Sequence, residues 1–301
     1  MMRVGVIINP VSGRHGRDPS TGPRRIDAAR RVLDAAAADA EIALTRGPGD
    51  AAALARGFVD RGKDLVVAWG GDGTINQAAG PLIGTTVALG IIPSGSGDGF
   101  AESLGIPRAP DAAWAQALGP GRLTIDVGFF GDRHFLNVAG SGFDAAVAQA
   151  FNSRTKRGGL GYVATGLPML WRYQCTHYTL TLNGQTVSGP RFVVAFANGC
   201  SYGNGAVIAA SADPTDGWLD VVMGDAGPFW LQIWRSRRLS FRRLRPARGI
   251  TRTRVREATI AGDRMICHVD GETFEAAGIL PVRIQPAALM IAGARPTRFS
   301  S

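Results

Sequence analysis

Only three cysteines, Cys175, Cys200 and Cys267, occur in 301 residues. An odd number of widely spaced thiols without a CxxC pair excludes a disulfide framework and a zinc cluster. Histidine is equally sparse: His15, His134, His177 and His268 lie far apart and read as surface or core residues. No apolar run approaches the ~18 residues of a membrane-spanning helix. Met1-Met2-Arg3 leads straight into a strand, too short a lead for a secretory leader, so the expected location is cytoplasmic. Lysine is the most telling scarcity, with only Lys63 and Lys156 present. Neither closes a G-x-x-x-x-G-K-[ST] loop, which excludes a P-loop enzyme. HRD-like and DFG-like segments are missing too, which excludes a protein kinase.

What the chain has is apolar content, glycine and alternating periodicity. With 45% hydrophobic residues and 41 glycines, it can bury one large core or two ordinary ones and still be loop-rich. Val4–Ile8, Glu41–Thr45, Leu65–Trp69 and Val87–Ile92 read as short strands. Between them, residues 24–40 carry Ile26, Ala29, Val32, Leu33 and Ala36 on one helical face, and a second helix runs from Asp50, its expected N-cap, to about Arg61. Such alternation predicts a parallel sheet covered by helices. From Leu123 onward short alternating runs take over, with hairpin turns expected at Gly131-Asp132, Asn183-Gly184 and Asp270-Gly271 and a helical stretch around Arg157–Trp171. The expected domains are therefore residues 1–122, completed by 285–301, and residues 123–284.

Gly70-Gly71-Asp72-Gly73-Thr74-Ile75-Asn76 follows the strand at Leu65–Trp69 and opens a helix. Glycines let the backbone approach a polyphosphate, and the helix start offers unpaired N–H groups. Asp72 among phosphates implies a bridging cation, hence a Mg²⁺-nucleotide site. Taken alone, the segment reads equally well as a turn whose glycines serve only positive φ. Two more polar loops alter that balance: Asn9-Pro10-Val11-Ser12-Gly13 and Pro93-Ser94-Gly95-Ser96-Gly97-Asp98-Gly99 also follow strands. In an open parallel sheet, ligands sit beyond the carboxyl ends of the strands.

Together with Asp126-Val127-Gly128, Phe135–Ala145, Tyr202-Gly203-Asn204-Gly205, Asp216–Asp220 and Asp270-Gly271-Glu272, these segments resemble the diacylglycerol kinase catalytic-domain family. That family includes bacterial lipid kinases and the sphingosine and ceramide kinases, and the resemblance runs along nearly the whole chain. It implies an α/β N-terminal domain with a parallel sheet and a C-terminal antiparallel β-sandwich domain, as in NAD kinase and diacylglycerol kinase. It places the active site in the cleft between them, with the closing strands, here Val282–Ala292, returning to the first domain. The implied activity is a lipid kinase using ATP and Mg²⁺, and the implied acceptor is a membrane lipid of diacylglycerol-like or sphingoid type.

Carried over residue by residue, the resemblance makes Glu272 the general base, with Asp270 in support and Asp72 at the metal or the hydroxyl. Nucleotide contacts fall on Asn9, Pro10, Ser12, Gly13, Thr45, Gly70, Gly71, Asp72, Gly73, Thr74, Asn76, Ser94, Gly95 and Ser96. A structural Mg²⁺ would use Asp216 with oxygens near Asp213 and Trp218, joined by Asp126. Each acidic turn also has a plain reading: Asp270-Gly271 and Asp216-Gly217 as hairpin or turn residues, Asp126 as a strand-end cap. The third loop departs from the common Gly-Thr-Gly-Asn-Asp pattern, since Asp98 and Gly99 stand where the family has Asn and Asp. Proline is usual in the family at the position of Ala210.

The net charge of +9 concentrates in ten arginines between Arg235 and Arg256, just after Phe229-Trp230-Leu231-Gln232-Ile233-Trp234. Apolar bulk beside basic residues is what a peripheral protein uses on an anionic bilayer, so peripheral membrane association is expected. A solvated arginine-rich face is the alternative. No RRM, KH or helix-turn-helix pattern supports nucleic-acid binding. An NAD kinase-like enzyme and a catalytically silent lipid- or nucleotide-binding module are the rival readings, and a homodimer, GTP or CTP as donor, and the identity of the acceptor stay open.

Overall fold

The computed structural model of the chain describes residues 1–13, 18–152, 168–171, 173–203, 206–227 and 249–295. Two compact units divide it: Met1–Ile125 with Ala287–Thr297, and Asp126–Pro286 with Arg298–Ser301.

The first unit alternates as its periodicity dictates: β1 (Arg3–Ile8), α1 (Thr21–Ala35), β2 (Asp39–Leu44), α2 (Asp50–Asp60), β3 (Leu65–Gly70), α3 (Asp72–Ala79), β4 (Ala88–Pro93), α4 (Gly99–Ser103) and α5 (Pro110–Leu118). The strands pair in the order β4-β3-β1-β2, every pair parallel. β3 and β4 are buried at every position and β1 at all but Arg3, which is why they read as unbroken apolar runs. The connection after β1 leads to one side of the sheet and that after β3 to the other, so β1 and β3 flank a topological switch point, where open α/β sheets bind ligands.

Among the boundaries that differ from the sequence expectation, two have a clear local cause. The first helix stops at Ala35 although alanine continues, because Ala37 adopts φ 49° and the amides of Ala37 and Ala38 close back on the carbonyls of Asp34 and Leu33. That is a left-handed helix stop, made without the glycine that would have announced it. Gly49, not Asp50, is the N-cap of α2; the Asp50 carboxylate instead accepts the Arg46 amide at 2.6 Å.

The second unit is antiparallel. β5 (Arg122–Phe130) enters it, followed by β6 (Arg133–Phe135), β7 (Val138–Gly142), α6 (Phe143–Asn152), β8 (Thr176–Leu182), β9 (Gln185–Ala197), β10 (Ser201–Gly203), β11 (Ala206–Val207), β12 (Leu219–Asp225), β13 (Ile250–Val255), β14 (Glu257–Val269) and β15 (Glu272–Ala292). Within it β13, β12, β9, β7, β14 and β15 pair in that order, with β8 bridging β9 and β14. Tyr178, Leu180, Phe196, Ile260 and Met265 supply its buried core along with Phe130 and Phe135.

The three expected hairpin turns are present. Asn183-Gly184 and Asp270-Gly271 are two-residue loops with both φ values positive, the turn that matches strand twist and favours Asn-Gly and Asp-Gly. The expected helix at 157–171 lies outside the described residues except for a short helical turn at 168–170. β15 contains the expected strand at Val282–Ala292, and its Ile291 pairs in parallel with Leu89 of β4 inside the first unit.

Candidate phosphate-binding loops and acidic turns

In the first unit the loops after β1, β3 and β4 are hydrogen-bonded to one another. The Asn9 side-chain Nδ2 donates to Thr74 Oγ1 at 2.9 Å, and the Ser94 backbone N–H donates to the Gly70 carbonyl at 2.8 Å. Ser12 and Ser94 share a 2.7 Å hydroxyl contact. The Ser12 hydroxyl donates to the Asn9 carbonyl, so the Ser94 proton fills the contact between them. Gly71 and Gly95 meet backbone to backbone: a Cβ on Gly71 would lie 3.1 Å from the Gly95 Cα. Any larger residue there would push the second and third loops apart. Thr45, half-buried at the end of β2, hydrogen-bonds through its N–H to the Ile8 carbonyl.

Asp72 opens α3, and its carboxylate accepts the amides of Gly99 and Phe100 at 3.4 and 3.3 Å. It is thus tied to the start of α4 as well as placed in the glycine turn. Asp98 departs from the family pattern in a structured way. It is only 3% exposed, takes φ 51°, and accepts the Gly95 amide at 2.7 Å. Burial pushes its carboxyl pKa up, opposed by the Gly95 hydrogen bond and Arg108.

A pH-dependence follows. A carboxyl whose folded pKa is raised stabilises the fold fully only below its unfolded pKa, and that stability is lost as pH rises through the folded pKa. Asparagine tolerates the left-handed conformation and keeps an oxygen for Gly95. Asp98→Asn is therefore expected to raise Tm by a few degrees at pH 7 and to make no difference near pH 3, read by scanning calorimetry. An equal Tm at pH 7 would remove the burial cost assigned to Asp98.

In the second unit the acidic turns are largely spent on structure. Asp270 sits at φ 48° and its carboxylate accepts three successive amides, those of Leu136, Asn137 and Val138, at 2.8, 2.9 and 3.0 Å. Its own N–H donates to the Val138 carbonyl. Asp270 is thus a clamp between the hairpin tip and the start of β7. Glu272, the first residue of β15, is exposed beside that clamp.

Asp126 is 2% exposed and accepts the Gly217 amide at 2.7 Å, while its own N–H donates to the Pro214 carbonyl. Asp213 accepts the Thr215 amide and hydroxyl. Asp216 accepts the Trp218 amide with one oxygen, and its other oxygen pairs with the Arg254 guanidinium. Arg254 also reaches Asp220 at 3.6 Å, and both Arg254 and Arg256 lie over the Trp218 ring.

The implied structural Mg²⁺ would share Asp216 with the Arg254 guanidinium. Among the described residues no three His, Cys, Asp or Glu cluster as ligands, and the other oxygens implied for the ion belong to the main chain near Asp213 and Trp218. The same contacts divide the basic segment. Its last members, Arg254 and Arg256, serve this acidic loop, whereas Phe229–Trp234 and Arg235–Arg248 lie outside the described residues, as do Asn204 and Gly205.

Two features have no counterpart in the sequence reading. Asp144 at the start of α6 receives the Tyr202 hydroxyl at 2.7 Å and lies 3.0 Å from His268 Nε2. Burial alone would raise its pKa, but the His268 charge and the hydrogen bonds hold it below the usual value. The second is Arg25 of α1, folded onto the first loop. Neither is visible as spacing: His268 is 124 residues from Asp144, and Arg25 sits 13 residues past Ser12.

Comparison with known proteins matches residues 3–130 to the family described as diacylglycerol kinase catalytic domain, and residues 137–293 to the YegS C-terminal NAD kinase beta sandwich-like domain. A diacylglycerol kinase of Mycobacterium tuberculosis is 32% identical over 241 residues, 74% of each chain. A probable lipid kinase YegS-like of Chromohalobacter salexigens is 36% identical over 188 residues, so the match spans 60% of that relative's length. The crystal structure of a putative diacylglycerol kinase from Bacillus anthracis str. Sterne superposes with a TM-score of 0.79 at 20% identity, covering 98% of this chain and 96% of that one, a likeness of fold.

Proposed function

The chain belongs to the diacylglycerol kinase catalytic-domain family, and from that membership we propose that it is an ATP-dependent lipid kinase with a diacylglycerol-like or sphingoid acceptor. The observation that carries this reading is the set of three mutually hydrogen-bonded loops after β1, β3 and β4, gathered at the switch point of the sheet. Phosphoryl transfer asks little covalent chemistry of a protein and much positioning and charge stabilisation. Backbone amides of the glycine turn and the start of α3 are suited to the phosphates of a nucleoside triphosphate, taken up as its Mg²⁺ complex. The acceptor hydroxyl oxygen forms the new bond to the γ-phosphorus as the bond to the β,γ-bridging oxygen breaks. The hydroxyl proton passes to Glu272, and ADP leaves. Asp270 holds the hairpin on which Glu272 stands.

No helix among the described residues is long and apolar enough to cross a membrane. We propose peripheral docking through residues 229–243, with Trp230, Ile233 and Trp234 in the interface and Arg235, Arg237, Arg238, Arg242 and Arg243 on anionic headgroups.

The test is one radiolabelled ATP assay on vesicles containing phosphatidylglycerol, offering diacylglycerol, monoacylglycerol, sphingosine, ceramide, undecaprenol and NAD in turn. Label is expected in a lipid, with both turnover and sedimentation falling as salt rises and when the five arginines become glutamine. Label in NAD alone, or in none of the six, overturns the lipid-kinase reading. Unchanged sedimentation of the glutamine variant at low salt overturns the docking assignment.

A further inference from the structure

Arg25 is a half-buried cation whose partners among the described residues are all neutral. Its Nη1 donates to the Asn9 carbonyl at 2.5 Å and to Ser12 Oγ at 2.7 Å, and its Nη2 donates to the Ser12 carbonyl at 3.0 Å. The guanidinium lies 5.5 Å from the centre of the Trp69 ring, the residue just ahead of the glycine turn. Among the described residues no carboxylate forms an ion pair with it. Burial pulls its pKa below the usual guanidinium value, the sign of a charge kept at a cost.

A neutral amide would pin the same carbonyl oxygens without that cost. The five donors of a guanidinium exceed the three bonds it makes to the loop. What the loop acquires from arginine in particular is a fixed positive charge. Because Ser12 also touches Ser94, that charge stands where the first and third loops meet.

We propose that Arg25 is the basic positioning residue of a polyphosphate site, the charge that offsets the phosphates of a nucleoside di- or triphosphate at the Asn9–Gly13 loop. The inference rests on the kinase reading for the nucleoside and on the geometry alone for the anion. It supplies what two scattered lysines do not: a half-buried guanidinium at the first loop, alongside the exposed Arg108 that donates to the Gly97 carbonyl of the third loop at 2.6 Å.

Two substitutions separate charge from scaffolding. Arg25→Gln keeps amide donors for the loop oxygens and removes the charge; Arg25→Lys keeps the charge and removes the fork. Binding of adenosine, AMP, ADP, ATP and inorganic tripolyphosphate is measured by calorimetry, with Tm recorded for each protein. Expected is a loss of about 10- to 100-fold for tripolyphosphate, ADP and ATP in Arg25→Gln, a smaller loss in Arg25→Lys, and adenosine affinity within about twofold of the parent chain. The salt dependence of tripolyphosphate binding should flatten only in Arg25→Gln. Tripolyphosphate binding lost in Arg25→Gln by a parent chain that binds no nucleotide leaves the anion site standing and removes the kinase reading. Equal affinities for ATP and tripolyphosphate in parent and Arg25→Gln overturn the inference and leave the kinase reading intact. A uniform loss across adenosine and ATP overturns it too, because it marks Arg25 as a loop pin. No tripolyphosphate or nucleotide binding by the parent chain overturns both.

Discussion

Glu272→Gln is expected to lower kcat by about 10² to 10⁴ while leaving Tm within ~2 °C of the parent protein. The substitution keeps the size of the side chain and removes only its ability to take a proton. The hairpin beneath it has determinants of its own. Its turn is set by Asp270 and Gly271, both at positive φ, and its register by the pairing of Val269 with Glu272. Glu272 is exposed at the first position of β15, where a polar isostere meets no packing penalty. Turnover in mixed micelles, paired with scanning calorimetry, reads both quantities. A kcat within threefold of the parent would remove Glu272 from the chemistry.

Two residues earlier the expected result is the opposite. Asp270→Ala should destabilise the second unit by about 3–5 kcal/mol, because three amides lose a charged acceptor at once and alanine is strained at φ 48°. Asp270→Asn should recover part of this. Asparagine accepts the left-handed conformation, and one oxygen can still serve Asn137 and Val138, but its NH₂ then opposes the Leu136 N–H. Urea unfolding followed by fluorescence gives the ranking. A cost below ~1 kcal/mol for alanine would mean that the loop before β7 finds its acceptors elsewhere.

These neighbouring acids show where sequence reading succeeds and where it stops. Asp270-Gly271 was legible as a hairpin because two-residue turns are local chemistry, and the buried runs that became β1, β3 and β4 were legible because parallel strands covered on both faces leave continuous apolar stretches. The donors to the Asp270 carboxylate were not legible, since the amides at 136–138 lie over 130 residues away in sequence. The same holds for Asp216. Its pairing with Arg254, 38 residues on, is equally out of reach of local spacing. Arg25 escaped notice for a related reason: on a helical wheel it is one arginine among several, and only the path from β1 into α1 brings it back over Ser12 and Trp69. Ala37 shows the reverse failure, where high helix propensity ran past a stop set by backbone closure.

The chain leaves the first unit after Ile125 and re-enters it at Ala287, where Ile291 pairs with Leu89, the Gly84 amide reaches the Ala288 carbonyl, and Gly293 bonds to Gly121 and Gln116. On the ribosome, the first unit is therefore synthesised first and finished last. While the second unit is being made, β4, a strand buried at every position in the finished protein, has an open edge of the kind that recruits foreign strands. The order of synthesis thus leaves that edge uncovered until the C-terminal strand arrives. Ending translation shortly before Ala287 would yield an aggregating product rather than a smaller, working nucleotide-binding unit.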